Sequence, residues 1–370
     1  MLLNGKPSRT IWPAATHDAV TVLDQRVLPH RVESLVLRHV DDAVHAIAEM
    51  AVRGAPLIGV TAAYGLALQA RADASDAALE RAARQLEASR PTAVNLAWAV
   101  RRMLAHLLWC RVAERAGAAW RLAAQLADDD VAVNERLGVH GLALLRPLAQ
   151  QAPDRPLNVL THCNAGWLAT VDWGTALAPI YRAQAAGLAV HVWVDETRPR
   201  NQGASLTAFE LREQGVPHTV IADNAGGHLM QRGQVDAVIV GCDRVTACGD
   251  VANKIGTFLK ALAARDCGVP FWVAMPLSTL DRSLHDGIVE IPIEERRARE
   301  VTHLAGRTRD GTTVEVQLVP DGTLALNPAF DVTPARLVSA LITERGVVPA
   351  TREGIAGLFD EPQREPIDGR

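Results

Sequence analysis

The sequence has few cysteines, and their spacing does not suggest disulfide pairs. The odd, irregularly spaced set consists of Cys110, Cys163, Cys242, Cys248 and Cys267. A disulfide framework uses an even and regular set, so we expect these residues to be reduced thiols. The N-terminus, "MLLNGKPSRTIW", has no apolar signal core. Both features predict a protein of the cytoplasm.

Long apolar runs and a strong net charge are also missing. The longest uncharged run, Ala55 to Ala70, contains proline and glycine and is too short to cross a bilayer. The net charge of −4 gives no reason to expect nucleic acid or an anionic membrane as a partner. Any anion that the protein binds must therefore be held by a local arrangement of residues.

Two kinds of cofactor motif are missing as well. No Gly-x-Gly-x-x-Gly follows the first strand of the C-terminal half, so a dinucleotide cofactor is not expected. There is no Cys-x-x-Cys pair and no histidine pair at helical spacing. His162, Cys163, Cys242 and Cys248 are therefore a poor set of metal ligands. We expect neither a cofactor nor a metal.

The length of the chain and its changing periodicity predict two domains. At 370 residues it exceeds the usual size of a single core. Residues 1–149 contain two predicted strands and then helical patterns, which predicts a mostly helical domain with a small antiparallel sheet. Residues 150–370 begin with a predicted linker, after which strands alternate with helices. This α/β pattern predicts a Rossmann-like, doubly wound parallel sheet that binds ligands beyond the carboxyl ends of its strands.

Two side chains of reactive types follow predicted strands of that sheet. Asp243 follows "AVIVGC", and a regular strand through Val245 would turn it away from Arg244 and toward apolar neighbours. A carboxyl group there is either a general acid with a raised pKa or a cap of a loop or helix. Cys163 ends "LNVLTHC" before a turn into a helical segment. It is either an activated thiol or a small buried apolar residue.

Three helix starts are candidate anion sites. Arg53, Gly54 and Ala55 precede Pro56, and proline is favoured at a first helical position, where free backbone N–H groups suit a phosphate. Arg90 lies before a second helix, for which Thr92 is the predicted cap.

Asn253 and Lys254 precede the third of these helices. Gln202, in "DETRPRNQGASL", has an amide that would reach hydroxyl groups of a substrate, or it is an ordinary loop residue. Solvated arginines and ordinary caps are the alternatives at the other positions.

Seven stretches together resemble the methylthioribose-1-phosphate isomerases, aldose–ketose isomerases of methionine salvage. This family shares its fold with ribose-1,5-bisphosphate isomerases and with regulatory subunits of the translation-initiation exchange factor. The resemblance covers nearly the whole chain and rests on "RGAPLIGVTAAYG", "SRPTAVNL", "LTHCNAG", "DETRPRNQGASLTAFEL", "GCDRVTACGDVANKIGT", "EIPIEER" and "NPAFDVTPARLVSALITERG".

The resemblance implies roles for individual residues. Cys163 and Asp243 match the catalytic pair, and a homodimer is expected. In such a reaction Asp243 would donate a proton to the ring oxygen, and Cys163 would assist hydrogen transfer from C2 to C1 by an enediol or a hydride route. Cys242 and Cys248 depart from the pattern, since alanine and asparagine are more usual there. The substrate contacts match Arg53, Gly54, Ala55, Arg90, Gln202, Asn253 and Lys254.

Two other functions fit parts of this pattern. A non-catalytic sensor of a sugar phosphate or nucleotide would keep the pocket but would not need Cys163 and Asp243. An isomerase for another ribose 1-phosphate would differ around C5, where a thioether needs an apolar pocket and a second phosphate needs cations. Trp167 and Trp173 are apolar candidates for that pocket, although core packing is an alternative for both.

Overall fold

The N-terminal half is built from short strands followed by five helices. The structure, a computed structural model, describes residues 1–90 and 93–360. A two-stranded and a three-stranded antiparallel sheet precede the helices. The strands are β1 (Leu2–Leu3), β2 (Lys6–Pro7), β3 (Ile11–Pro13), β4 (Val20–Leu23) and β5 (Ser34–Leu37). The helices are α1 (Val40–Ala48), α2 (Ala55–Ala72), α3 (Asp76–Ser89), α4 (Val94–Trp109) and α5 (Val112–Gln151).

Helix α2 is the centre of this half. It is apolar on nearly every side, and it contacts α1, α3, α4 and α5. A helix that is hydrophobic all round must be buried, so the other helices, which have polar outer faces, surround it. The predicted helical domain with a small antiparallel sheet is confirmed.

Helix α5 connects the two halves of the molecule. Its first half, around Ala119 and Ala123, packs in the core of the N-terminal helices. Its second half, with Leu137 and Leu145, packs in the core that covers the large sheet. The proposed division at residue 149 lies in the last turn of this helix. That division stays a prediction.

The C-terminal half contains a seven-stranded sheet in the order β18-β17-β12-β9-β6-β7-β8. Every neighbouring pair is parallel except β17 and β18. The predicted doubly wound parallel sheet is therefore confirmed, with an antiparallel edge strand in addition. The elements are β6 (Leu157–Thr161), α6 (Ala178–Ala185), β7 (Val190–Asp195), α7 (Ala208–Glu213), β8 (His218–Ile221), α8 (Ala225–Gln231), β9 (Ala237–Val240), α9 (Thr257–Asp266), β12 (Phe271–Ala274), β17 (Ala340–Thr343) and β18 (Gly346–Val348).

A second sheet in this half has four strands, in the order β13-β10-β11-β16. A separate hairpin pairs β14 with β15. The remaining elements are β10 (Arg244–Thr246), β11 (Val251–Lys254), β13 (Leu280–Asp281), α10 (Gly287–Glu290), α11 (Arg299–Thr302), β14 (His303–Arg307), β15 (Thr313–Gln317), β16 (Phe330–Thr333) and α12 (Arg352–Gly357). Among the described residues, no helix is both long and apolar enough to cross a membrane.

Close packing of α5 on α6 predicts a position that does not tolerate a methyl group. A Cβ at Gly141 would overlap the ring of Pro179. We expect Gly141→Ala to lower the free energy of unfolding by about 1–3 kcal/mol through overpacking, although alanine is the better helix former. Urea denaturation measures the change.

Gly117→Ala is the matched control in the same helix. A Cβ at Gly117 meets only the end of the flexible Arg121 side chain. This variant should be as stable as the unmodified chain or more stable, by up to about 1 kcal/mol. Equal stability of the two variants would contradict the close packing at Gly141.

Candidate functional site

The carboxyl ends of two neighbouring strands bring Cys163 and Asp243 to one place. Strand β6 lies between β7 and β9, so the chain winds away from β6 in both directions. Such a switch point opens a crevice at the carboxyl edge of a parallel sheet. Cys163 follows β6 by two residues and Asp243 follows β9 by three. Both residues therefore lie at that crevice.

The prediction of a regular strand through Val245 is wrong. Strand β9 ends at Val240, and Arg244 begins β10 in the second sheet. A Cβ at Gly241 would overlap Ala165, so the turns after β9 and β6 approach each other closely at that glycine. The chain bends at Asp243 instead of continuing the strand. In the second sheet, Arg244 Nη1 lies 3.5 Å from Asp281 Oδ2.

Asp243 is a half-buried carboxyl group among cations. Burial raises its pKa, whereas the charges of Lys254, Arg90 and Arg53 lower it and that of Glu294 raises it. The raised pKa agrees with the prediction from sequence, but its expected surroundings were wrong. The neighbours are charged as well as apolar. Desolvation is the largest of these effects, so the carboxyl holds its proton more tightly than an exposed aspartate does.

The backbone at Cys163 has an uncommon conformation. Its φ angle is 66°, in the left-handed region that non-glycine residues rarely occupy. The Cys163 N–H donates to Thr197 Oγ1 at 2.8 Å, and the Cys163 carbonyl accepts from Thr207 Oγ1 at 2.7 Å. The expected helix after the turn is only a 3₁₀ segment, Trp167–Ala169. Two threonine hydroxyls, rather than a long helix, hold the thiol-bearing residue in place.

Thr197 is itself constrained. Its φ angle is also 66°, which is rare for a β-branched residue. Its amide donates to Asp223 Oδ1 at 2.7 Å, and its hydroxyl donates to the Asp195 carbonyl at 3.0 Å. Strained conformations of this kind persist where the surrounding structure fixes them, often at functional sites.

Arg53 lies beside this segment, fully buried. Its guanidinium donates to both the side-chain and the backbone oxygen of Asn164. The Asn164 amide in turn donates to Glu210 Oε1. Burial lowers the pKa of Arg53, while Cys163, Asp243 and Glu210 act to raise it. Burial also raises the pKa of Glu210 to about 7.

Gly54 and Ala55 form the start of α2, as predicted, with Pro56 at the second rather than the first helical position. Gly54 has a φ angle of 92°, and a Cβ there would overlap Ala169. Only glycine therefore lets α2 begin this close to the segment that follows Cys163.

Asn253 and Lys254 are buried, but they do not precede a helix directly. They belong to strand β11, and the first amides of α9 (Gly256 and Phe258) donate to the carboxylate of Asp331. The amides at this helix start are therefore occupied by Asp331, and contact of Asn253 and Lys254 with an anion stays a prediction.

Lys254 is placed by two contacts. Its Nζ donates to the Ala329 carbonyl at 2.9 Å and lies 4.6 Å from the centre of the Phe330 ring. Burial lowers the pKa of Lys254, and Cys163 and Asp243 act to raise it. The charge of Lys254 therefore interacts with both candidate catalytic residues.

Arg90 and Gln202 carry polar atoms without partners among the described residues. Arg90 Nε and Gln202 Oε1 are both buried and have no hydrogen-bond partner among the described residues. Within the described chain, Arg90 forms one ion pair, a long one of 3.4 Å to Glu294 Oε2. A ligand in this pocket could therefore form hydrogen bonds with both atoms. Thr92, the predicted cap after Arg90, lies outside the described residues, and α4 begins at Val94.

One cavity, here called the central pocket, brings the candidate residues together. Trp167 is fully buried in a separate core cluster, and Trp173 stacks on Arg182, so both have packing roles. Cys242 also borders the pocket, and burial raises the pKa of its thiol to about 12. Among the residues that line the central pocket are all nine that the sequence singled out: Arg53, Gly54, Ala55, Arg90, Cys163, Gln202, Asp243, Asn253 and Lys254.

Sequence reasoning missed the residues that hold these nine. Asn164, Thr197, Glu210, Glu294 and Phe330 all lie inside the quoted motifs, and that position is the only signal that would have indicated them. Their contacts are with residues far away in the chain, so spacing along the sequence could not show them.

One group of described residues has the composition of a metal site. Potential ligand atoms of His162, Asp195 and Asp223 lie within 4.8 Å of one another. The Lys260 ammonium is already there, 3.1 Å from Asp195 Oδ2. Both ring nitrogens of His162 make hydrogen bonds, to Asp195 Oδ2 and to the Ile255 carbonyl, each at 2.8 Å. The contacts describe an internal ion cluster, and the expected independence from metal stays a prediction.

The Thr197 hydroxyl should be essential to the fold of the site. Thr197→Val keeps the shape but leaves the buried Cys163 N–H without an acceptor, which should cost about 1–3 kcal/mol of unfolding free energy. Thr197→Ser keeps the oxygen and should remain closer to the unmodified protein. Thermal denaturation compares the two, and equal losses would show that the hydrogen bond is unimportant.

Comparison with known proteins identifies the family. The model of the initiation factor 2 subunit family matches residues 51–350. A methylthioribose-1-phosphate isomerase from Methylorubrum populi is 63% identical over 98% of this chain and 100% of that protein. One from Rhodospirillum rubrum is 58% identical over 99% of this chain and 95% of that protein.

Solved structures agree. The 5-methylthioribose 1-phosphate isomerase of Pyrococcus horikoshii has a TM-score of 0.82 and 40% identity, covering 96% of each chain. A structure described as translation initiation factor eIF-2B, subunit delta, from A. fulgidus has a TM-score of 0.79 and 39% identity over 95% of this chain and 99% of that one. The resemblance inferred from the motifs is thus confirmed, and the chain belongs to the methylthioribose-1-phosphate isomerase family, within the wider initiation factor 2 subunit family.

Proposed function

We propose that the protein converts 5-methylthioribose 1-phosphate into 5-methylthioribulose 1-phosphate, in methionine salvage. The observation that carries this proposal is the central pocket, where the carboxyl group of Asp243 and the thiol-bearing Cys163 meet Arg53, Arg90 and Lys254. The cations suit a sugar phosphate. The high identity to proteins named for this reaction supports the same substrate.

The chemistry begins with ring opening. Because phosphate blocks the anomeric oxygen, the bond between C1 and the ring oxygen must break with the phosphate still attached. Protonated Asp243 donates its proton to the ring oxygen, and the electron pair of the breaking bond stays on that oxygen. A carboxyl group whose pKa is raised by burial is suited to this step.

Hydrogen then moves from C2 to C1. In the hydride route, C2–H leaves with its electrons to the electron-poor C1, and the C2 hydroxyl proton is lost as the ketone forms. In the enediol route, a base removes the C2 proton and C1 is protonated afterwards. Cys163 assists either route, and the Asp243 carboxylate accepts the final proton. No external oxidant or reductant is needed.

Binding is assigned to the other pocket residues. Arg53, Arg90 and Lys254 hold the phosphate, and Gln202 and Asn253 hold hydroxyl groups. Because the sugar is fixed in this way, the entropy cost of orienting it falls on the binding step and not on the chemical step.

A homodimer is also part of the proposal. Several apolar side chains on and after β15 are exposed in the single chain: Val314, Val316, Leu318, Leu324 and Leu326. A second copy would cover such a surface. The cytoplasm remains the expected compartment.

The function is tested by turnover of 5-methylthioribose 1-phosphate after dialysis against a strong chelator. We expect turnover to persist, since Asp243 and Cys163 supply the reacting groups. Activity that is lost with the chelator and restored by a divalent metal would contradict the mechanism. Tight binding of the sugar phosphate without turnover would instead support the sensor function.

Asp243→Asn should lower kcat by at least about a hundredfold, because the amide cannot give up a proton comparably. KM should change little, since the lost interaction belongs to the transition state. In the unmodified enzyme the rate should fall toward alkaline pH, because only the protonated carboxyl acts as the acid and its pKa is raised.

The matched control is Asp281→Asn. Asp281 pairs with Arg244 nearby but does not line the central pocket. Near-normal kcat with weaker binding in Asp243→Asn would make Asp243 a hydroxyl-binding residue instead.

Arg90→Lys should raise KM by more than it lowers kcat. An arginine binds phosphate with two parallel donors, which a lysine cannot reproduce. Arg84→Lys, an exposed change on α3, the helix that ends just before Arg90, is the control. Steady-state kinetics with an unchanged KM would place Arg90 outside the phosphate site.

A further inference from the structure

Glu210 is a fully buried carboxyl group that the proposed mechanism does not use. It lies in α7 and does not line the central pocket. Its Oε1 accepts from the Asn164 amide, and its Oε2 accepts from the Leu168 N–H at 3.2 Å. A Cβ at Gly166 would overlap Oε1, so the chain after Cys163 passes directly over this carboxyl group. Burial of an acid is costly, so the role of Glu210 must lie in the groups that it contacts.

The contacts of Glu210 lead to the pocket in two steps. The Asn164 amide nitrogen donates to Glu210 and to Thr207 Oγ1, and the Asn164 side-chain oxygen accepts from Arg53. An amide whose nitrogen is held in this way can present only its oxygen to the guanidinium. Glu210 therefore determines which way Asn164 faces, and Asn164 determines where the Arg53 guanidinium lies.

Glu210 and Arg53 also interact through their charges. Burial raises the pKa of Glu210 to about 7, although the Arg53 charge acts to lower it. Burial lowers the pKa of Arg53, while the charges of Cys163, Asp243 and Glu210 act to raise it. The Glu210 carboxyl group is therefore poised between its two ionisation states near neutral pH, and the balance depends on the charge around Arg53.

Tyr181, on α6, provides an oxygen for a protonated Glu210. The tyrosine is buried beside the carboxyl group, and burial and the Glu210 charge both raise the pKa of its hydroxyl. In the described geometry this hydroxyl makes no hydrogen bond. A protonated Glu210 could donate to it while still accepting from Asn164. Both ionisation states of the carboxyl group thus have partners.

We propose that Glu210 is a positioning residue for the phosphate site, which orients Arg53 through Asn164 and takes up a proton from solvent when the substrate phosphate binds. The inference rests on the proposed function, because it concerns the phosphate that Arg53 holds in that reaction.

The direction of the proton transfer follows from the charges. A phosphate dianion at Arg53 brings negative charge toward Glu210 and shares the cation that stabilises the ionised carboxylate. Both effects favour the neutral carboxyl group. Below about pH 7 that group is already neutral, whereas at higher pH a proton must be taken from solvent for each dianion bound. The affinity for a dianion should therefore fall as the pH rises through the pKa of Glu210.

Inorganic sulfate is the probe for proton uptake, because it resembles a phosphate dianion but does not titrate near neutral pH. Its dissociation constant is measured by isothermal titration calorimetry from about pH 6 to about pH 9, on both sides of the pKa of Glu210. In the unmodified protein we expect the constant to rise by about tenfold, the effect of a one-unit change in pKa. In Glu210→Gln, which keeps an oxygen for Asn164 but cannot ionise, the rise should be several-fold smaller.

Glu213→Gln is the matched control in the same helix. The Glu213 carboxylate accepts from the Asn4 N–H at 2.8 Å, and the residue does not line the central pocket. This variant should keep the pH dependence of the unmodified protein. A measurement without any variant supports the comparison. Sulfate titrations of the unmodified protein in two buffers with different heats of ionisation should show a net uptake of protons.

The positioning role is tested by Glu210→Ala, which leaves Asn164 without this acceptor. The KM for 5-methylthioribose 1-phosphate should rise by about tenfold, the scale of one lost buried hydrogen bond, with a smaller fall in kcat. Glu210→Gln should recover most of this loss at neutral pH. A residue that only fills space would not give this recovery together with a changed pH dependence.

Three results would overturn the inference. They are an equal rise of the sulfate dissociation constant in Glu210→Gln and the unmodified protein, the absence of net proton uptake, and an unchanged KM in Glu210→Ala. The sulfate measurements do not depend on turnover. Absence of turnover by the unmodified protein would instead refute the proposed function, so the two failures can be told apart.

Discussion

Burial of charge is the constraint on which the site depends. The same desolvation that raises the pKa of Asp243 lowers the pKa of Arg53 and of Lys254. Each group is costly alone, but their opposite charges compensate within one pocket. The pKa of the acid therefore depends on its desolvation and on the charges around it, and not only on its own position.

Backbone constraints determine the shape of the central pocket. Gly54 and Gly241 let two chain segments approach the turn after β6 more closely than any side chain would allow. On the opposite side, Thr197 fixes Cys163 through a hydrogen bond to its amide. Since Thr197 and Cys163 both adopt left-handed angles, neither conformation would persist without the other contacts around it. The geometry of the pocket is thus set by local strain that the surrounding fold supports.

The regular elements could be predicted from the sequence because their signals are local. The apolar strands β6, β7, β8, β9 and β12 and the helices near them follow from periodicity alone. Asp243 shows where this reasoning ends. The expected strand continued to Val245, but β9 ends at Val240, next to a glycine that lies against Ala165, a residue distant in sequence. Asn253 and Lys254 were likewise expected before a helix, although the amides of that helix are taken by Asp331.

The family motifs gave the site residues where periodicity could not, and the contacts explain why the motifs are long. Arg53 needs Asn164, Asn164 needs Glu210, and these three belong to three separate stretches. In the same way, Arg90 and Glu294 join two stretches, because the carboxylate of "EIPIEER" offsets the charge of an arginine that precedes α4. In the proposed reaction, Arg53, Arg90 and Lys254 hold the phosphate on C1, and Asp243 lies in the wall of the same pocket. Binding energy from the phosphate therefore brings the ring oxygen to Asp243.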